Sequence, residues 1–196
     1  MGIFDFIKKN KNTKSEKIEK PSLKQKLFTE KAMKIVIPTF EKFEFKKHNI
    51  EIGKFFSTIT YRKKEQYLKI SSTTHPKDYP HSYWISLGEG NSEDLFEYDW
   101  NSVTLIDFQK EIKPNQELSN NELPIESELK SSLEKTKTEL LEFGETFLKG
   151  DLNLFYKIRK ERNEKKEPYK IREINKNGKY VLTDEPKSLE QKKKYS

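Results

Sequence analysis

The sequence predicts an α+β domain: a mostly antiparallel sheet of about four strands with helices packed on one face, flanked by basic flexible ends. Three observations carry that reading. Apolar residues recur at helical steps over 23–37 and 125–148. Between those stretches lie short runs that alternate in character and are rich in aromatic and β-branched residues. No internal repeat is present, and the order of helix, strands and helices suits a layered domain better than a wound parallel sheet.

Taken in order, Met1 to Asn10 places Ile3, Phe6 and Ile7 on one helical face ahead of lysines, which suits an interfacial anchor or a docked helix. Residues 1–20 are read as a basic flexible segment, 21–185 as one domain and 186–196 as a basic flexible tail. Ser22 is a helix N-cap, Leu23, Leu27, Phe28, Met33 and Val36 form the apolar stripe behind it, and Pro38 ends or kinks the helix. Lys54–Arg62 and Tyr67–Ser72 read as a hairpin, with His81–Gly88 and Val103–Phe108 as the third and fourth strands. Gly88 to Trp100 is then a loop. Pro124–Lys149 reads as a helix stopped by Gly150, Leu152–Asn163 as another, and Tyr169–Leu182 as a loop-rich segment with a docked strand.

Charge is distributed unevenly along the 196 residues, whose formal net charge is +7. Residues 1–30 carry eight basic against four acidic side chains, 31–156 carry 17 against 21, and 157–196 carry 14 against seven. An acidic body with basic ends allows electrostatic attraction to nucleic acid or an anionic membrane surface. Only four of the 39 basic residues are arginine, the side chain that base and phosphate readers favour. The absence of cysteine removes disulfides, thiol nucleophiles and thiolate zinc sites, and points to an intracellular, cytoplasmic protein. No apolar run reaches the ~20 residues of a membrane-spanning helix.

The stretch from Asp78 to Phe108 runs opposite to its surroundings. It contains no Lys or Arg, seven carboxylates and both tryptophans. Trp and Tyr bury large rigid areas while keeping a polar handle, and carboxylates around them steer a basic partner. Trp84, Glu89, Glu93, Asp94, Glu97, Asp99 and Trp100 are therefore the candidate partner-binding residues, with the alternative that both tryptophans belong to the core.

Catalytic patterns are sparse. His75, Asp78 and His81 are a metal-compatible ligand set, although Pro76 and Pro80 favour an extended backbone that spreads them apart. The carboxylates of 89–99 select no acid–base pair. Gly88-Glu89-Gly90 lacks the third glycine and the lysine of a phosphate cradle. The expectation is a binding protein with no cofactor, not an enzyme. A nucleic-acid or membrane-surface adaptor using the basic ends, and a metal-dependent enzyme at His75, Asp78 and His81, are the alternatives.

Leu68-Lys69-Ile70, His75-Pro76-Lys77-Asp78-Tyr79-Pro80, Leu87-Gly88, Asp99-Trp100-Asn101-Ser102 and Glu167-Pro168-Tyr169-Lys170-Ile171 together resemble an uncharacterised family of small cytoplasmic proteins from Bacteroidota. That family is similar in size and layout to immunity proteins of polymorphic-toxin systems. Over most of residues 25–196 the resemblance implies a bacterial protein that binds a protein partner such as a basic toxin, and it transfers no catalytic residue.

Overall fold

The computed structural model describes residues 20–74, 81–91, 95–115, 124–174 and 176–196. The chain is α+β, built on a five-stranded antiparallel sheet plus a separate two-stranded hairpin.

Helix α1 spans Leu23–Ile35, and the Ser22 hydroxyl accepts from the Gln25 amide at 3.2 Å, as a capping serine should. It stops at Val36, and Pro38 lies in the first turn of α2 (Ile37–Lys42), where a missing N–H costs nothing. Strands β1 (Lys46–Ile52), β2 (Phe56–Lys63), β3 (Gln66–Thr73), β4 (Ser82–Glu89) and β5 (Ser102–Thr104) are hydrogen-bonded in that order. The sheet thus has five strands where about four were expected. The extra one, β1, is an exposed polar edge strand whose sequence, Lys-Lys-His-Asn-Ile-Glu-Ile, hides its alternation.

Three expected elements take another form. Val103–Phe108 is not a strand: β5 ends at Thr104 and α4 (Leu105–Ile112) begins. A capping box explains the switch, since Asp107 Oδ2 accepts from both the backbone N–H and the hydroxyl of Thr104 at 2.8 Å. The segment after Gly90, expected as loop through Trp100, contains helix α3 (Leu95–Asn101). Downstream come α5 (Leu129–Phe143), α6 (Glu145–Lys149) and α7 (Asn153–Lys165). Gly150 adopts φ +96° and closes α6, the left-handed stop its position predicts. Strands β6 (Lys170–Ile174) and β7 (Tyr180–Asp184) form the hairpin, and the stretch expected as a flexible tail is helix α8 (Pro186–Tyr195).

One face of the sheet presents Ile59, Tyr61, Leu68, Ile70, Ile85 and Leu87, all essentially buried. They pack with Phe28, Ala32, Val36 and Phe40 of α1–α2 and with Phe108, Leu133, Leu140, Phe147 and Phe155 from the later helices. Helices do not lie on this face alone. Helix α3 packs against the opposite one, where Tyr67 meets the Tyr98 ring edge-on at 5.1 Å.

Candidate functional site

Because side chains alternate along a strand, the residues between the core positions line the second face. The strand register aligns Glu51, Thr58, Ser71 and Trp84 in one row and Asn49, Thr60, Lys69, Ser86 and Thr104 in the next. A third row runs Arg62, Tyr67, Gly88 and Ser102. This face is polar throughout, and its two ends differ.

The Tyr67 end is closed. A side chain at Gly88 would place its Cβ 2.1 Å from the Tyr67 ring, so the ring occupies the space that a glycine leaves. The Tyr67 hydroxyl donates to Asn101 Oδ1 at 2.6 Å, and burial pushes its pKa upward. Arg62 lies over the same ring and donates to the Gly90 carbonyl and the Tyr98 hydroxyl, at 2.6 and 3.0 Å. Behind these groups, Trp100 is fully buried and its indole N–H donates to the Ser188 hydroxyl of α8 at 3.2 Å.

Helices α7 and α8 clasp α3 from outside. Asn163 donates to the Trp100 and Tyr195 carbonyls at 2.8 and 3.0 Å, tying the last turn of α8 to the end of α3. Arg162 donates to the Asp99 carbonyl at 2.9 Å from a position buried enough to lower its pKa. The carboxylates expected to face a partner are engaged here. Glu89 accepts from the Tyr156 hydroxyl at 2.8 Å and from Arg159 at 3.2 Å. Asp99 pairs with Lys166 and accepts from the Tyr169 hydroxyl. Glu97, largely buried, pairs with Lys194 at 3.1 Å and accepts from the Tyr195 hydroxyl.

The C-terminal segment therefore pairs with three carboxylates of the acidic insert, Glu89, Glu97 and Asp99, within the chain. Trp100 is a core residue, not an anchor at the rim of a loop, and Glu89, Glu97 and Asp99 hold internal helices in place. Glu93 and Asp94 lie outside the described residues.

At the other end of the second face Ser71 and Ser86 are buried, but Trp84 reaches solvent. Trp84 is 37 % exposed and stands in a floor of small hydroxyl side chains, Thr58, Ser71 and Ser86. Beside it Lys69 is half-buried, with its Nζ 4.4 Å from the centre of the Tyr98 ring. Among the described residues no hydrogen bond reaches that ammonium. Desolvation lowers its pKa, an effect that the Asp99 and Glu51 charges partly offset. Sequence reasoning missed Lys69, whose signal was its position between Leu68 and Ile70 in an alternating strand.

Of the metal-compatible trio, His75 and Asp78 lie outside the described residues. His81 is fully buried against Phe28, the ring centroids 6.2 Å apart, and among the described residues neither of its ring nitrogens has a hydrogen-bond partner. Burial lowers its pKa, with Lys24 and Lys31 adding to the effect and Glu126 opposing it. Among the described residues no group of three or more His, Cys, Asp or Glu side chains is arranged to hold a metal ion. No helix among them is long and apolar enough to cross a membrane.

No protein-family model matches this chain, and no curated protein or solved structure matches it either.

Proposed function

We propose that this chain is a protein-binding module whose recognition surface is the open end of the second sheet face. Trp84 is its central anchor, with Ser71 beside it on β3, Lys69 diagonal to it, and Thr58 and Glu51 two and three strands away along the same row. The exposure of Trp84 on a face where small hydroxyls leave its ring accessible carries the proposal. Large aromatic side chains in such settings supply much of the energy of protein recognition, because they bury wide area with little entropy to lose.

Within this class, neutralisation of a basic toxin is the version that the resemblance to immunity-type proteins favours. The electrostatic part of that reading moves from Glu97 and Asp99, which are paired internally, to Glu51, which is exposed in the same row as Trp84. Reversing the charge of Glu97 and Asp99 would break the clasp on α3, so loss of capture in such a variant would report the fold and not the surface.

The test uses the full chain as bait in its source cell, followed by titration of the purified captured protein against wild type, Trp84→Ser and Glu51→Lys. The expected outcome is a single basic partner whose affinity falls about thirtyfold or more in Trp84→Ser, the ~2 kcal/mol or more of a hot spot, with the melting temperature unchanged. Equal affinity of wild type and Trp84→Ser would remove the proposal.

A further inference from the structure

We propose that the β6–β7 hairpin docks on an anionic lipid surface, a property separate from partner capture at Trp84. Its register pairs Ile174 with Tyr180 and Arg172 with Leu182, so these four side chains share one face of the ribbon. Ile174 is 63 % exposed, Tyr180 74 % and Leu182 68 %, a density of exposed large apolar groups found nowhere else among the described residues. No other described element packs extensively on either strand. A bare two-stranded ribbon is marginally stable in water, so a surface that covers this face also stabilises the fold of the hairpin.

Charge selects the occupant. Arg172 lies on the apolar face, and Lys176 and Lys179 flank the turn that Gly178 makes at φ +73°. Glu173 points to the opposite face beside Val181, and Asp184 is neutralised at the base by Lys170. The apolar face therefore carries Arg172 in its middle row beside Leu182, further cations at the turn, and no unpaired carboxylate. Ile174 and Leu182 suit the boundary of the acyl chains, Tyr180 the headgroup level, and the long cationic side chains reach lipid phosphates. A surface for single-stranded nucleic acid would offer several aromatic stacking platforms, whereas here two of the three exposed apolar groups, Ile174 and Leu182, are aliphatic.

Co-sedimentation of the full chain with vesicles of phosphatidylcholine containing phosphatidylglycerol, against phosphatidylcholine alone, tests this directly. Binding is expected to the anionic vesicles only. It should fall at least about tenfold both in Ile174→Ser/Leu182→Ser and in Arg172→Glu/Lys176→Glu, since each basic residue near such a surface is worth about fivefold and two are reversed. Tyr180→Trp in the otherwise native chain should add an emission component that shifts to the blue with anionic vesicles, a reading that does not depend on the stability of the other variants. Absence of vesicle binding would overturn the proposal, as would binding that survives both double variants or a Tyr180→Trp signal unchanged by lipid. Self-association abolished by Ile174→Ser, or duplex RNA binding without lipid binding, would reassign the face to a second copy or to nucleic acid and equally overturn it.

Discussion

The two faces of the sheet are held by different physics. The core face is apolar and is covered by α1, α2, α4 and α5, so burial of Ile59, Leu68, Ile70 and their partners stabilises it with little directional demand. The second face is polar. Where it is closed, closure depends on ring edges, buried amides and ion pairs that each need a particular partner: Tyr67 with Asn101, Asn163 with two carbonyls, and Glu97 with Lys194 and Tyr195. Interactions of that kind tolerate little change, because a polar group left buried without its partner costs more than the bond was worth. A chain with lean apolar content can therefore extend its folded body by matching charge within itself, leaving Trp84 as the accessible part of that face.

Four substitutions break or sharpen this contrast. The largest loss is expected on the core face, where Phe28→Ala removes a fully buried ring and should cost about 3–5 kcal/mol in denaturant unfolding. On the second face, Gly88→Ala forces a methyl into the Tyr67 ring and should cost about 1–3 kcal/mol, with a red shift in Trp100 emission as α3 loosens. Asn163→Ala removes the donor to the Trp100 and Tyr195 carbonyls and the acceptor of Arg162, leaving Trp100 only the 3.4 Å contact to Arg162, also at about 1–3 kcal/mol. Hydrogen exchange should then accelerate in α8 and leave β2 and β3 unchanged.

His81→Phe should have the smallest effect, near zero or stabilising at pH 8, since no hydrogen bond is lost. Its consequence lies in pH dependence. The folded-state pKa of His81 is depressed, so the unfolded chain takes up the proton first, near pH 6.5. The wild type is fully stable above that value and loses stability as pH falls toward the folded pKa. His81→Phe should flatten that decline, and an unaltered pH profile would show that another group controls it.

Much of the core face was legible in the sequence, because apolar periodicity dictates it: the Ser22 cap, the β2–β3 hairpin, the inward Tyr83, Ile85 and Leu87, and the Gly150 stop all follow from local rules. The second face was harder to read, for identifiable reasons. The edge strand β1 turns only Ile50 and Ile52 toward the core side, behind a polar first half, so its alternation is too short to detect. Thr104 and Asp107 override the β-propensity of Val103–Phe108 through a cap. Helix α8 is rich in lysine and resembles a solvated tail, although Glu185 capping the Ser188 amide and Pro186 in the first turn mark a helix start. The acidic character of the insert and the basic character of the C-terminus were both visible. That each is the other's partner depends on contacts between residues separated by 63 to 98 positions, as in Asn163–Trp100 and Tyr195–Glu97.

The division of the second face into a clasped end and an open one is tested most directly by fluorine NMR of the wild-type chain labelled with 5-fluorotryptophan, assigned with Trp84→Phe. A soluble gadolinium chelate should broaden the Trp84 resonance strongly and leave that of Trp100 sharp. Comparable broadening of both resonances would mean that α3 is not held by α7 and α8, and would contradict the account.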